Sequence, residues 1–327
     1  MIMTDSKRLT WIDWAKFLLI WMMVWGHAGL SGVGHQFVYA FHMPAFFIIS
    51  GYLYKPHNWK RTLISFGVPV IFFSLFYLIY EVSRMYLKGE PYECFELINK
   101  IAPPMFERNY GDNITLFTGL WFIEALFFIR LLLGDIKKLT FIRNKYKIIG
   151  LLLFLYCSFE PLFIKYIHPI DDLYIYKVLP CFPFMMFGIY LKEEKKEWLN
   201  LKNWQLAILL VIYVSMTLLN SDVDIFSEHF GINYSYTFVN AIIASILFFN
   251  ILSRFKCSKI AETFSVGTLL ILGMHSMIIQ TYNMLVNHMG FPSSSFLSSL
   301  LVMIICYPLI RLAIRYAPLL LGKYHKK

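Results

Sequence analysis

The tightest constraint on this chain is a pair of long apolar stretches near its start that carry ionisable side chains. WIDWAKFLLIWMMVWGHAGL (Trp11 to Leu30) holds Asp13, Lys16 and His27, and QFVYAFHMPAFFIISGYLY (Gln36 to Tyr54) holds His42 beside Pro44. Each is close to the ~20 residues that cross a bilayer as a helix. A charge at the centre of such a helix costs ~3 kcal/mol or more, so these groups must face a bundle interior or a wet cavity. The chain can fold only by packing other apolar segments around them.

The remaining sequence supplies those segments. Hydrophobic residues make up 58% and charged residues 15%, with a mean hydropathy of +0.58; soluble domains carry about a quarter charged residues. Further apolar stretches fall at 63–83, 115–134, 148–168, 173–191, 203–219, 235–253, 264–284 and 296–316. The fold class expected is therefore all-α, a polytopic membrane helix bundle with about ten transmembrane helices in a single domain over 1–327. Links 31–35, 220–234 and 285–295 contain no Lys or Arg, whereas Lys137, Lys138, Arg143, Lys145 and Lys147 crowd into one link of the opposite set. Short-loop bias of this kind orients the helices. Both termini are expected in the cytoplasm, the location a cell membrane, and the net charge of +10 reflects topology rather than nucleic-acid binding.

Other classes find little support. Lys16 interrupts the first stretch and no A-x-A site follows it, so it does not read as a cleaved signal peptide. The five cysteines are scattered and imply no disulfide framework. No Cys/His spacing suits a metal and no glycine-rich nucleotide motif occurs. The 84–114 link, with mixed charge and several aromatics, is a candidate lid.

The chemistry concentrates on three spans. Lys16 and His27 are eleven residues apart, three turns plus ~20°, so they share one helix face ~16 Å apart. Asp13, at i,i+3, is placed to pair with Lys16. His42 follows on the next span and His275 lies mid-span in LLILGMHSMII. Histidine is the side chain best suited to taking a proton near neutral pH. Ser50 and Gly51 read as small residues for close helix packing. With no serine elbow motif, an acyl-serine enzyme is not expected. A proton-coupled transporter or flippase with intramembrane His and Glu relays is the alternative reading.

A basic residue, ten intervening residues and His27, followed by FHMPAFFIISGYLY (Phe41 to Tyr54), resembles the N-terminus of the acyltransferase family 3 membrane proteins, and within them the fucose 4-O-acetylase-like sugar O-acetyltransferases. GLWFIEALFF (Gly119 to Phe128) and His275 resemble later family features, while Lys16 stands where the family often has Arg. The resemblance implies transfer of an acetyl group from acetyl-CoA, as a donor substrate with no permanently bound cofactor, to a hydroxyl of a glycan or lipid-linked sugar. It implies His27 as the catalytic histidine. His42 and Glu124 join it as candidate catalytic groups, Lys16 and Arg130 as candidate contacts to the CoA phosphates, and Trp121 and His275 as candidate substrate contacts. Lysine can serve as a point charge for phosphate in place of arginine.

Cysteine labels placed in 136–146 and 193–200 should report cytoplasmic, and labels in 88–112 and 222–232 external. Finding 136–146 and 88–112 on one face would overturn the spans drawn between them.

Overall fold

Helix α3 (His42–Tyr52) lies in the core of the bundle, and Pro44 in its first turn marks where it begins. Proline lacks an N–H, so it costs least in a helix's first turn, where that N–H would have no partner anyway. The stretch expected as one span at 36–54 is accordingly two helices, α2 (Gly32–Tyr39) and α3, broken at Ala40 and Phe41. His42 becomes the first residue of α3 rather than a mid-span side chain. This computed structural model describes residues 8–89, 120–135, 138, 140–163, 178–194 and 197–323. The candidate lid falls outside them beyond residue 89.

The other helices are α1 (Thr10–His27), α4 (Trp59–Lys88), α5 (Trp121–Arg130), α6 (Thr140–Asn144), α7 (Tyr146–Phe163), α8 (Phe182–Glu194), α9 (Asn203–Leu219), α10 (Tyr234–Leu252), α11 (Lys259–Val266), α12 (Thr268–His288) and α13 (Ser295–Tyr316). Between α9 and α10 a small hairpin pairs β1 (Val223–Asp224) with β2 (His229–Phe230). The protein is thus an all-α membrane bundle with one two-stranded excursion. Four described helices are long and apolar enough to cross a membrane by length and composition, namely α4, α10, α12 and α13. The expected uninterrupted span at 264–284 is also divided, into α11 and α12 at Gly267. A Cβ there would lie 2.2 Å from the Ile310 side chain, so the break lets α13 approach closely.

Helix directions follow from the contacts. Trp21 and Trp25 of α1 donate to Ser299 and Ser295 of α13, an antiparallel pair. Tyr77 of α4 accepts from Gln280 of α12, and Tyr80 meets Thr281, a parallel pair. Helices α7 and α8 run antiparallel through Tyr146–Glu193 and Lys147–Glu194. This is the alternation that successive crossings impose.

The tightest crossing is α3 on α8. A Cβ on Gly51 would fall 1.9 Å from the Met185 carbonyl oxygen, and one on Gly188 2.0 Å from that of Ile48. Only glycine lets two backbones meet so closely, the small-residue packing that replaces the hydrophobic effect in lipid. The expectation for Gly51 holds, and Gly188 is its partner. Residues of α3 from Pro44 to Ile49 are buried, and α1 packs Ala15, Leu19 and Val24 into the same core.

Gly51→Ala or Gly188→Ala should cost more than the ~1–3 kcal/mol typical of overpacking, because the clash is with backbone. Gly67→Ala, whose nearest neighbour is a Leu63 methyl 3.8 Å away, serves as the control. Melting of the detergent-solubilised variants checks this; equal midpoints for all three would refute it.

Candidate functional site

Two cavities meet inside the bundle. The larger, about 760 Å³, runs along α1 from Arg8 past Lys16 to Met23, and the smaller, about 80 Å³, lies at the His27 end. Met23, Met43 and Leu272 line both, so three apolar side chains from α1, α3 and α12 stand between them.

The large cavity is cationic. Lys16, Lys55, Arg61, Arg130, Lys192 and Lys323 line it, and Asp13 is its one carboxylate among the described residues. That carboxylate is already taken. The expected Asp13–Lys16 pair does not form: Arg8 Nε lies 2.6 Å from Asp13 Oδ2 and Nη2 donates to Oδ1 at 3.0 Å, while Nη1 reaches Glu262 of α11 at 2.8 Å. A bidentate guanidinium fork matches a carboxylate better than one ammonium does. The Asp13 hydrogen bond holds Arg8 above its ordinary pKa, burial acting against it. Lys16, half-buried, makes no hydrogen bond or ion pair among the described residues and is left as a positive charge lining the cavity. Crowding of like charge is felt at the rim. Lys323 is held below its usual pKa by burial and then by Arg8, and His57 by burial and then by Arg130 and Arg61. Such a rim favours an anionic ligand.

Arg130 is positioned by a group the sequence did not single out. Beyond α5 a wide turn (Leu131–Asp135) carries Gly134 at φ 110°, a conformation glycine adopts without strain. The turn buries Asp135, which accepts from the Tyr54 hydroxyl at 3.3 Å, the His57 N–H at 3.0 Å, the Thr62 hydroxyl and Arg130 Nε at 3.3 Å. Arg130 also lies over the rings of Tyr54 and Phe66 and donates to the Lys55 carbonyl at 3.3 Å. It is an anchored residue, not one that swings freely to the surface.

The small chamber holds the histidines. His27, the last residue of α1, is exposed at its rim, and its ring centroid is 5.0 Å from that of His275. His42 Nδ1 lies 2.9 Å from the Val38 carbonyl oxygen and His275 Nδ1 2.8 Å from that of Leu272. A carbonyl only accepts, so both rings carry a proton on Nδ1, and in the neutral imidazole Nε2 keeps its lone pair. Trp121 also lines the chamber; Glu124, buried in the first turn of α5, lines neither cavity. His27, His42 and Trp121 therefore share one space, His275 backs it, and Lys16 and Arg130 share the other.

The sequence reading missed Tyr39 and Asp224, which complete the chamber wall. Tyr39 stacks on His35 at 3.8 Å and meets the His42 ring at 4.9 Å. Asp224 arrives from the hairpin, whose Phe226 rests on Trp121 at 5.5 Å. A signal was present: the 220–234 link lacks Lys and Arg yet holds Asp222, Asp224 and Glu228.

Residues 9–311 match the family model of an acyltransferase domain, Acyl_transf_3. No curated protein and no solved structure matches the chain.

Asp135→Asn should destabilise the protein by ~1–3 kcal/mol, because it removes the buried carboxylate that accepts from Tyr54, Thr62, the His57 backbone N–H and the partly buried Arg130. A fall of several degrees in melting midpoint checks this; an unchanged midpoint would count against the anchor.

Proposed function

The chain belongs to this acyltransferase family, and from that premise we propose that it is a ten-span O-acetyltransferase of the cell membrane, using cytoplasmic acetyl-CoA to modify a carbohydrate hydroxyl. The observation that carries the reading is the pair of adjoining cavities: a cationic one of about 760 Å³ and, across Met23, Met43 and Leu272, a histidine chamber of about 80 Å³. The first lies within the range of small-molecule sites and suits a polyphosphate-bearing donor. The second has room for a few water molecules or a two-carbon acyl group, not a fatty chain. The fucose 4-O-acetylase-like motifs favour a sugar acceptor, and Trp121 with Phe226 offers the aromatic surface such a ring packs on. Membership of an acyltransferase family sets aside the transporter reading.

In this mechanism the donor's phosphates sit near Lys16, with Arg130 and Lys192 on the same wall. Its thin pantetheine arm passes Met23 and Met43, whose unbranched side chains adapt to it. Lys16 and His27 are ~16 Å apart along the helix, comparable to that arm. His27 takes the proton from the acceptor hydroxyl as its oxygen bonds to the thioester carbonyl carbon. The tetrahedral oxyanion then collapses, the C–S bond breaks, and the proton passes to the departing CoA sulfur. The first N–H groups of α3, at His42 and Met43, lack helical partners and are the donors for the oxyanion. His42 Nε2 accepts from the sugar.

His27→Ala should lower acetyl transfer by ~10²–10⁴-fold with folding intact. Lys16→Met should raise the acetyl-CoA KM while Lys16→Arg stays active. The purified protein, assayed for thiol release and glycan acetylation, tests both. Activity of His27→Ala within a few-fold of the parent at equal protein level removes the base assignment. Normal acetyl-CoA binding by Lys16→Met, with loss of stability only, reduces Lys16 to an anchor.

A further inference from the structure

His42 and His275 each have a ring nitrogen held by a backbone carbonyl, at 2.9 and 2.8 Å. His27 has no such hold: among the described residues neither of its ring nitrogens has a hydrogen-bond partner. A histidine that takes up a proton during turnover becomes a cation, and catalysis improves when an acceptor orients its second nitrogen and balances that charge. Around His27 the choices are few. Two neighbours are imidazoles, Tyr39 is a phenol, and Asp224 is the one carboxylate lining the chamber among the described residues.

Asp224 is also well fixed. Its Oδ1 accepts from the Phe226 N–H at 3.0 Å and its Oδ2 from the Ser227 hydroxyl at 2.8 Å. Val223 and Ile225, on either side, are buried. At the base of the hairpin Asn220 accepts from the Ile232 N–H at 2.8 Å and donates to Thr237 at 3.2 Å. Gly231, at φ 62°, packs so closely that a Cβ would lie 2.2 Å from Asn220 Oδ1. A hairpin tethered in this way holds its carboxylate in place.

We propose that Asp224 is a positioning residue for acyl transfer, brought to the chamber by the 223–230 hairpin to orient His27 and to stabilise the imidazolium formed as it takes the acceptor's proton. The inference rests on His27 as the base. It assigns the loop a part in turnover beyond covering the chamber.

Asp224→Asn isolates the charge, since the amide oxygen still accepts from the Phe226 N–H and the turn is kept. The full-length protein in detergent is assayed for thiol release from acetyl-CoA, with water or added methyl hexosides as acceptor, and melting is recorded alongside. The expected result is a kcat loss of about 10-fold or more with the acetyl-CoA KM within about twofold, partial recovery in Asp224→Glu, and no further loss when Asp224→Asn is added to His27→Ala, because residues acting as one unit are non-additive. Parent-like kcat in Asp224→Asn beside an inactive His27→Ala overturns the proposal and leaves His27 standing. An active His27→Ala removes the base reading itself. A loss confined to the hexoside reactions, with thiol release to water unchanged, makes Asp224 an acceptor contact and also overturns the proposal. Should Asp224→Asn not fold, Ser227→Ala, which removes one of the two holds on the carboxylate, takes its place: a few-fold lower kcat supports the proposal and an unchanged kcat refutes it.

Discussion

An ionisable side chain in a membrane helix must find a partner or a cavity, because lipid offers it neither water nor counter-charge. Helix α1 carries three such residues, and the surrounding packing answers to them. Asp13 is satisfied by Arg8 from the turn before the helix, and α11 supplies Glu262 to the same guanidinium. Lys16 is left to a cavity wide enough to hold a ligand, and His27 to a chamber at the other end of the same face. A more apolar α1 would need none of these arrangements.

The interruptions in the bundle follow from the same demand. Backbone that leaves the helix inside a membrane protein survives only where protein surrounds it or it lines a cavity. The break between α2 and α3 puts His42 and Met43 on the chamber wall. The break between α11 and α12 lets the short α11 pack along α1 while the longer α12 carries His275 to His27. Close contact at Gly51 and Gly188 sets how α3 crosses α8, and α3 carries Met43, which lines both cavities.

Lys16 illustrates how far chain order can mislead. Its spacing from Asp13 is right for an ion pair, yet the fork of Arg8 outcompetes it, and the lysine without a partner becomes the better candidate for a phosphate contact. Arg130 shows the converse. It could have been a headgroup anchor, but Asp135, hidden in a turn that Gly134 makes possible, ties it to the cavity wall.

Much was legible before any coordinates: a membrane-embedded helical protein, an N-terminal motif resembling membrane acyltransferases, and His27, His42 and Lys16 as residues that apolar surroundings do not explain. Hydropathy, charge bias and helical period are local properties, read along one segment at a time. The apolar stretches at 63–83, 203–219, 235–253 and 296–316 coincide to within about five residues with α4, α9, α10 and α13, of which α4, α10 and α13 are long and apolar enough to cross a membrane. Those local properties could not show where a span breaks: Pro44 opens α3 whereas Pro308 leaves α13 continuous, and Gly267 acts through the Ile310 side chain it admits. Nor could they reveal that His275 meets His27, that Asp13 turns to Arg8, or that Asp224 and Asp135 reach the two cavities from distant links. Those are contacts between separate segments, chosen by packing and by competition among charges, and only the assembled bundle decides them.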